Sequence, residues 1–359
     1  MEIEYVPFLK SKQNEVHALA ELDKDILTKI APFFDYPKKQ GGDSGKDIGA
    51  AIGRLAKKFK KHLSGVKEFY FDIFDLNDDL NIDGENLYGF LLKEFSGLPL
   101  IPVVSIDRND EHQKAVIQSK TLKHVSSSTV AFRVTPEDFQ NFGVISEDIK
   151  NMLEPVFALF ESVDLIFDCR ICTSLDAKKI SKQINDFTNK FISLRQVRRV
   201  VVAGSSIPAS AAEVLSSNSE VYVDRIEIKI FDNVKNLGAT NYVFGDYTTI
   251  SPDYSDANIP AEQMQSRITA KFIYSFGGQH YFIRGGSLKT KGRDQYYDLA
   301  ASLCSKYFFR GPEYSLGDAY FYEKSRREGD QCWVNTVIKP AINAHITYAV
   351  EDLLTDNFF

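Results

Sequence analysis

Cysteine is scarce in this sequence, which has four cysteines among its 359 residues. Small secreted domains that rely on disulfide bonds carry far more, so a disulfide framework is excluded and a reducing cytoplasm is the expected location. The only close pair, Cys169 and Cys172, has no second pair and no histidine beside it. This pattern gives little support for a zinc site, and we expect both thiols to be buried as small apolar groups.

Long apolar runs are also missing from the chain. No run approaches the roughly 20 residues that a membrane-spanning helix needs, and the start MEIEYVPFLK carries no secretory signal. We therefore expect no contact with a membrane. The 49 acidic and 43 basic side chains give a formal net charge of −6, which argues against a general coat for nucleic acid.

Complete catalytic motifs are absent as well. The six histidines are scattered and form neither HxH nor HExxH, which disfavours a histidine-based metallohydrolase. The sequence has no GxSxG, and no Ser/His/Asp order can be assembled from it. Function must therefore be argued from the arrangement of polar residues along the fold.

Eight short β-rich runs, each followed by a stretch with helical periodicity, fill about the first 250 residues. They are rich in Val, Ile and Phe, as is typical of strands buried on both faces of a parallel sheet. Eight such units predict a TIM-type (β/α)8 barrel, an α/β fold, with a doubly wound open sheet as the alternative. The runs are 5–10, 30–36, 68–75, 100–107, 129–135, 163–171, 198–205 and 241–247.

Residues 221–234 fit both a strand and a helix. The apolar positions Ile226, Ile228 and Ile230 alternate as in a strand, whereas Val223, Ile226, Ile230 and Val234 follow a helical period. We assign a helix here, because a strand would make the run 241–247 a ninth.

The sequence changes in character after about residue 260. Two aromatic runs around a Gly-Gly turn predict an antiparallel hairpin over 271–286, and helical patterns follow at 294–308 and 332–354. No linker rich in Pro, Ser or Gly precedes this part. We therefore divide the chain into a barrel, 1–254, and a C-terminal hairpin-plus-helix elaboration, 255–359, an α+β unit that packs over one mouth of the barrel.

Polar side chains are concentrated at the carboxyl ends of the predicted strands. In a barrel these ends form one mouth, where the active sites of this fold lie. Carboxylates suit Mg²⁺ and Lys or Arg suit phosphoryl groups, so this mouth is suited to a divalent metal and a phosphate. An Asp or Ser after a strand also caps the next helix in many proteins, which gives each residue a purely structural alternative. The candidate catalytic carboxylates are Asp72, Asp168 and Asp246, and the candidate ligand-binding residues here are Lys10, Lys12, Asp35, Arg133, Ser205 and Tyr247.

Two positions in the C-terminal elaboration complete the candidate site. His345 lies on an apolar helix from which it could reach the mouth as an acid or base, although a structural histidine in the core is the commoner case. Arg284 ends the predicted hairpin, followed by Gly285, whose lack of a side chain allows close backbone approach. We expect Arg284 and Gly285 to contribute to ligand binding over the mouth, with a simple turn as the alternative.

Several segments are similar to a known family. The start YVPFLKSKQNEVHAL, the internal FGDYTTISP, the hairpin exit FIRGG and the tail from Trp333, WVNTVIKPAINAHIT, resemble the beta protein family nearly end to end. The family takes its name from a component of the gop–beta–cII anti-phage module of satellite prophages in enterobacteria. The resemblance implies a role in an abortive-infection or toxin–antitoxin-like system, in which this protein restrains a toxic companion protein. The matching positions are Tyr5, Pro7, Lys10, Lys12, Glu15, Gly245, Asp246, Tyr247, Arg284, Gly285, Trp333 and His345.

Two hypotheses from different classes follow. The first is a regulator that binds the toxic companion, gated by a ligand in the barrel mouth such as a small phosphate-containing molecule or nucleic acid. The second is a Mg²⁺-dependent phosphodiesterase or nuclease, in which Asp72, Asp168 and Asp246 hold the metal and basic residues stabilise phosphoryl charge. The resemblance ranks the regulator first.

Overall fold

Eight parallel strands close into a barrel in the computed structural model, which describes residues 2–38, 45–238, 240–253 and 268–354. In chain order the described strands are β1 (Tyr5–Lys10), β2 (Phe33–Asp35), β3 (Phe69–Asp72), β4 (Asn81–Ile82), β5 (Glu85–Asn86), β6 (Leu100–Val104), β7 (Thr129–Val134), β8 (Ser162–Ile171), β9 (Val197–Ser205), β10 (Ser219–Asp224), β11 (Tyr242–Asp246), β12 (Thr269–Phe276) and β13 (Gln279–Ser287). Strands β1, β2, β3, β6, β7, β8, β9 and β11 form the barrel in this order, and β11 pairs with β1 to close it. The (β/α)8 prediction is thus confirmed, and the doubly wound open sheet is wrong.

Helices connect the barrel strands and continue into the C-terminal part. The described α-helices are α1 (Gln13–Ala20), α2 (Lys24–Lys29), α3 (Gly45–His62), α4 (Leu87–Glu94), α5 (Asp110–Thr121), α6 (Pro136–Phe139), α7 (Phe142–Asp148), α8 (Glu154–Phe157), α9 (Ala177–Ile192), α10 (Ile226–Lys235), α11 (Leu288–Lys291), α12 (Gln295–Cys304), α13 (Leu316–Ser325) and α14 (Ile338–Tyr348). A π-helical segment, Ala349–Leu353, extends α14. No helix in the described part of the chain combines the length and the apolar character that crossing a bilayer demands.

The barrel interior is packed with apolar side chains and is not an open channel. Phe8 and Phe33 stack with their ring centroids 4.4 Å apart, and Tyr70 packs beside Phe33 at 5.5 Å. A second apolar layer lies between the strands and the surrounding helices, where Phe187 and Phe191 of α9 are buried. These two layers hold the strands rigidly, so the side chains at the strand ends have fixed positions.

The segment 221–234 is only partly the helix that the pattern predicts. Residues Ser219–Asp224 form β10, and α10 begins at Ile226. Strand β10 is not a ninth barrel strand, because it leaves the barrel and pairs antiparallel with β13, with Val221 opposite Phe282. The alternating residues Ile226, Ile228 and Ile230 lie in α10, as the helical assignment predicts, whereas the strand β10 precedes them and its partner lies about sixty residues later in the sequence.

The predicted hairpin is present as β12 and β13, and together with β10 it makes a three-stranded sheet. Helix α14 packs against both α1 and β12, so the C-terminal elaboration is docked on the barrel. The predicted boundary between residues 254 and 255 falls in a segment outside the described residues. Because β10 precedes that boundary, the three-stranded sheet contains strands from both predicted units.

Candidate functional site

Arg133, at the end of β7, lies at the centre of the barrel mouth. Its Nη1 donates to Asp35 Oδ1 at 2.7 Å and to Asp72 Oδ2 at 2.8 Å. Its Nε donates to Asp168 at 3.1 Å, and Nη2 donates to the same carboxylate and to the Tyr247 hydroxyl oxygen. The guanidinium group is completely buried. One cation thus binds three carboxylates that come from three different strands.

The strand register explains why these residues meet. Asp35 ends β2 and lies opposite Asp72, which ends β3, while Asp168 lies near the end of β8 beside β7. In a parallel barrel all of these ends face the same mouth. The sequence prediction that Asp35, Asp72, Arg133, Asp168 and Tyr247 share one site is therefore matched by their positions. Their role in ligand binding or catalysis stays a prediction.

A second ring of charges surrounds this centre. Arg108 donates to Asp72 at 2.8 Å and to Asp78 at 3.1 Å, and Lys10 contacts Asp75 at 2.5 Å and Asp35 at 3.8 Å. We call these residues, together with Asp35, Asp72, Arg133, Asp168, Arg170 and Tyr247, the mouth cluster.

Three guanidinium groups of the mouth cluster surround one aromatic ring. The guanidinium carbons of Arg108, Arg133 and Arg170 lie 5.3, 4.1 and 4.7 Å from the centroid of the half-buried Phe74 ring. Cation–π attraction at these distances helps to hold three like charges in one place.

Two residues of the mouth have a left-handed backbone conformation although neither is glycine. Arg170 has φ of 50° and Thr248 has φ of 55°, and for a β-branched residue such as Thr248 this value is unfavourable. Within the described residues, Arg170 Nη1 and Thr248 Oγ1 are buried and have no hydrogen-bond partner. Strained residues with unsatisfied polar atoms are often found at binding sites, so they single out this part of the mouth.

The paired charges fix the protonation states of Asp72 and Asp168 in the mouth. Burial opposes ionisation of Asp72, but Arg108 and Arg133 outweigh it and hold its pKa below the usual value. Burial likewise opposes ionisation of Asp168, and Arg133 and Arg170 lower its pKa. Both carboxylates are therefore anionic at neutral pH, and neither is poised to exchange a proton near pH 7.

Asp246, the third candidate carboxylate, belongs to a separate cluster. His345 Nε2 lies 2.9 and 3.0 Å from its two oxygens, Tyr5 donates its hydroxyl proton to Oδ1 at 2.6 Å, and Arg225 donates to Oδ2. Burial opposes ionisation, but His345 and Arg225 lower the pKa of Asp246 well below its usual range. The predicted approach of His345 to the barrel is thus present, at the carboxyl end of β11.

The contacts of His345 continue into the hairpin. Ser275 Oγ lies 2.6 Å from His345 Nδ1 and 2.9 Å from His280 Nδ1. Burial lowers the pKa of His280 to about 4 and also lowers that of His345, so both rings are neutral at pH 7. One assignment with neutral rings satisfies the contacts of Ser275 and Asp246: His280 donates to Ser275, Ser275 donates to His345, and His345 donates to Asp246. We call Asp246, His345, Ser275, His280, Arg225, Glu227 and Tyr5 the seam cluster, since it joins the barrel to the elaboration.

Arg225 and Glu227 close the seam cluster on its other side. Arg225 Nε donates to Glu227 Oε1 at 2.8 Å, and Ser206 donates to Glu227 Oε2 at 2.6 Å. Burial opposes ionisation of Glu227, but His280 and Arg225 lower its pKa to about 2. Cys172 Sγ lies 3.7 Å from the same carboxylate, and both Cys169 and Cys172 are buried free thiols.

The seam cluster contains a serine, a histidine and a carboxylate in the order of a nucleophile, a base and its orienting acid. Ser275 is 2% exposed and His345 and Asp246 are 1% exposed. No substrate can reach this arrangement. In the structure it provides hydrogen-bond partners for buried polar groups where β11, β12 and α14 meet.

The carboxylates do not form the donor set that Mg²⁺ requires. Asp72 and Asp168 direct oxygens at guanidinium groups, and Asp246 lies in a different cluster. In the part of the chain that the structure describes, no three His, Cys, Asp or Glu side chains are grouped so that they could hold a metal ion. The described residues therefore do not fit a Mg²⁺ site.

The remaining candidate residues lie outside both clusters. Lys12 is exposed at the start of α1, and the buried Ser205 Oγ accepts from the Ile207 amide at 3.1 Å. Arg284 was expected over the mouth, but it donates to Thr269 Oγ1 and to the Leu215 carbonyl. These contacts hold it on the three-stranded sheet. Gly285 lies beside it, where a Cβ atom would approach Gln295 Oε1 within 2.5 Å.

Several residues of both clusters were not selected from the sequence. Arg108 and Arg170 lie at the carboxyl ends of predicted strands, as Arg133 does. Their position could therefore have identified them as candidates too. Phe74, Tyr5, Arg225, Ser275 and His280 carry no such signal, because their roles depend on contacts between distant segments.

The solved structures to which this chain is weakly similar include the three described below. A type I 3-dehydroquinate dehydratase from Clostridium difficile has 12% identity and a TM-score of 0.41, and the match covers 71% of this chain and 88% of that one. A 3-keto-D-glucoside 4-epimerase from E. coli has 11% identity and a TM-score of 0.31, covering 73% and 95%. Fungal β-1,4-galactanases have 9% identity and a TM-score of 0.32, covering 68% and 77%.

Two further comparisons concern the sequence itself. None of the curated proteins matches it. A family model described as Beta protein matches residues 5–351, which is nearly the whole chain.

Proposed function

Because the chain belongs to the Beta protein family, we propose that it restrains a toxic companion protein by binding it. It would do so in the cytoplasm, as part of a prophage-encoded anti-phage system of the abortive-infection or toxin–antitoxin type. We further propose that an anionic, phosphate-containing ligand in the barrel mouth gates this binding. The family resemblance supports the proposed biological role, and the geometry of the mouth supports a binding protein.

The position of Arg133 is the observation that carries this proposal. Its guanidinium group occupies the centre of the mouth and holds Asp35, Asp72 and Asp168 as ion pairs. Asp72 and Asp168, fixed in this way, are neither free metal ligands nor acids and bases tuned to neutral pH. They are suited to keeping the guanidinium groups of the mouth cluster in a fixed geometry, which favours recognition over chemistry.

The unsatisfied nitrogen of Arg170 supports an anionic ligand. Its guanidinium group is already held at Asp253, at 2.7 Å, and stacked on Phe74, so Nη1 is presented in a fixed direction. The unpartnered Thr248 hydroxyl offers a second hydrogen-bond donor at the same end of the barrel. A phosphate oxygen accepts from both kinds of donor and would relieve two unsatisfied groups.

The restraining role is tested by co-expression with the toxic companion of the same module. We expect growth to be restored and the two proteins to co-purify in a fixed ratio, with an interface on the order of 1,200 Å² or more in total. The complex should survive EDTA, because no metal is needed to form it. Growth restored by sub-stoichiometric amounts of this protein, without co-purification, would contradict binding and favour a catalytic role.

The gating ligand is tested by thermal unfolding with inorganic phosphate, nucleotides and short oligonucleotides. A ligand that binds only the folded state should raise the melting temperature, with about 2.7 kcal/mol of stabilisation at a hundred times its dissociation constant. Arg170→Gln should abolish the shift, whereas Arg326→Gln, at an exposed arginine far from the mouth, should keep it. An equal shift in both variants would place the ligand elsewhere.

The alternative, a Mg²⁺-dependent phosphodiesterase or nuclease, stays a prediction. No contact among the described residues favours it. It would gain support if the purified protein cleaved labelled oligonucleotides with Mg²⁺ and lost this activity in Asp72→Asn.

A further inference from the structure

A cavity of about 390 Å³ lies outside the mouth, between α10, the turn of the β12–β13 hairpin and the C-terminal end of the chain's last described helix. Its lining combines apolar and charged residues from β10, α10, β11, the hairpin and the C-terminal helical segment, and we call it the α10 cavity. The apolar lining residues are Ile228, Phe231, Phe244, Leu353 and Leu354. A volume of this size is within the range of sites that take small ligands or a large side chain.

Arg225 is one of the charged residues that line the α10 cavity. This side chain is completely buried, and its Nε and Nη2 atoms are bound to Glu227 and Asp246. Nη1 has no hydrogen-bond partner within the described residues, although it is buried too. Leaving a charged donor unsatisfied costs stability, so an acceptor oxygen on a bound group would find a prepared partner.

The charges around the α10 cavity disfavour an anionic occupant. The cation of Arg225 already faces two carboxylates, and Lys229 is paired with Asp224 at 2.7 Å. Lys235 lies over the Phe231 ring at 5.5 Å, and the half-buried Asp232 adds a further carboxyl group. The charged groups of the wall, taken together with Glu227 and Asp246 behind it, therefore carry no net positive charge. An added carboxylate or phosphate would be repelled by the carboxylates.

A peptide group matches this wall better than an ion does. Its carbonyl oxygen can accept from Arg225 Nη1, and its N–H can donate to the Asp232 carboxyl group. The Phe231 and Phe244 rings, in edge contact at 5.2 Å, offer a surface on which an aromatic or branched side chain packs. The turn residues Gly277 and Gly278 carry no side chains that would obstruct the rim.

From these contacts we infer that the α10 cavity binds a short apolar segment of another polypeptide, with one Phe or Leu side chain inside it. The peptide group beside that side chain bonds to Arg225 and Asp232. Since Arg225 also holds Asp246, the segment contacts a residue of the seam cluster. The α10 cavity shares no lining residue with the mouth cluster, so this inference and the anionic mouth ligand can fail independently.

The inference is tested by saturation-transfer NMR on the full chain with N-acetyl-L-phenylalaninamide as the probe. We expect binding with a dissociation constant on the order of a millimolar, as is usual for a ligand of this size. N-acetyl-L-phenylalanine, which carries a carboxylate, and N-acetylglycinamide, which lacks the ring, should each bind at least about fivefold more weakly. The peptide acetyl-Ala-Phe-Ala-amide should bind at least as tightly as the single-residue amide.

Two variants and a matched control locate the binding. Ile228→Asp, on the half-buried cavity wall, and Arg225→Lys, which keeps the charge but removes Nη1, should both abolish saturation transfer. Ile192→Asp, at an exposed isoleucine on α9, should bind like the wild type. Absence of binding to the folded wild type, stronger binding of the carboxylate, unchanged binding in Ile228→Asp, or rejection of the tripeptide would each overturn the inference.

Discussion

The side chain of Arg133 shows how one residue organises the barrel mouth. A buried guanidinium group is stable only if its charge is matched, and here three carboxylates, the Tyr247 hydroxyl group and the rings of Phe33 and Phe74 surround it. Burial disfavours the charge, but the surrounding carboxylates raise the pKa of Arg133 above its usual value. Removing this cation would take from three buried anions the partner that they share.

We therefore predict that Arg133→Met lowers the free energy of unfolding by about 3–5 kcal/mol, the usual cost of breaking a buried ion pair. Urea unfolding followed by far-UV circular dichroism measures this change. Arg326→Met, at an exposed arginine, should change the same quantity by less than about 0.5 kcal/mol. A loss below about 1 kcal/mol for Arg133→Met would show that the mouth carboxylates do not depend on this cation.

Glu15 is a second residue whose environment has a measurable consequence. It lies in the first turn of α1 and is 3% exposed. Burial raises the pKa of its carboxyl group from 4.5 to about 7, against the opposing effects of its own backbone amide, Lys12 and Lys10. The folded protein therefore holds a proton at Glu15 more tightly than the unfolded chain does, and this contribution to stability is lost as the pH rises through about 7.

We predict that Glu15→Gln becomes more stable relative to the wild type as the pH rises from 5 to 8, by about 2–3 kcal/mol. Chemical unfolding of both proteins at several pH values gives this difference. The buried histidines titrate in both proteins, so their effects cancel. A difference that stays constant over this range would mean that Glu15 titrates at its ordinary pKa in the folded protein.

At the scale of elements, the seam cluster joins the hairpin β12–β13, helix α14 and strand β11. Ser275 is its central link, since its hydroxyl group is hydrogen-bonded to the Nδ1 atoms of both His280 and His345. We predict that Ser275→Ala costs about 1–3 kcal/mol, because it leaves two buried ring nitrogens without a partner. In a double-mutant cycle with His280→Phe, the loss of unfolding free energy in the double variant should differ from the sum of the two single losses by at least about 1 kcal/mol.

A distant helix cap provides the control for this cycle. Asp176 caps α9 by accepting from the amides of Lys178 and Lys179, and Asp176→Ala should cost about 1 kcal/mol. Combined with Ser275→Ala, this loss should be additive. If Ser275→Ala and His280→Phe are also additive, the hydrogen-bonded chain through Ser275 does not couple these elements.

The same elements show what a sequence can and cannot predict. Runs such as 129–135 and 163–171 are continuous and apolar, and this local property was sufficient to place all eight barrel strands. The charged residues at the strand ends could be placed at one mouth for the same reason, since parallel strands share an orientation. Residues 221–224 were misassigned because a strand outside the barrel is defined by its partner, β13.

The interactions within the site could not be predicted in this way. Asp72, Asp168 and Asp246 seemed equivalent in the sequence, yet Arg133 binds the first two and Arg225 binds the third. Which cation reaches which carboxylate depends on side-chain direction and on contacts between segments far apart in the chain. His345 was placed near the barrel only by the general expectation that the elaboration covers a mouth.

At the scale of the whole molecule, helix α14 belongs to two hydrophobic cores. Ile342 and Ile346 pack into the core between the barrel strands and their helices, whereas Val337 and Ala344 pack into the core of the elaboration. Separating the elaboration from the barrel would expose both cores and break the contact between His345 and Asp246. The described residues should therefore unfold as one cooperative unit.

The single tryptophan, Trp333, lies in the elaboration just before α14 and allows this cooperativity to be measured. We predict that its fluorescence and the far-UV circular dichroism, to which the barrel helices contribute, change at the same urea concentration. Ile346→Ala should cost about 2–5 kcal/mol and move both transitions together, because the cavity it creates lies in the barrel core. Leu194→Ala, at a leucine that is 62% exposed, should move neither. A fluorescence change that precedes the dichroism change, or an Ile346→Ala variant in which only the fluorescence midpoint moves, would show that the elaboration unfolds separately from the barrel.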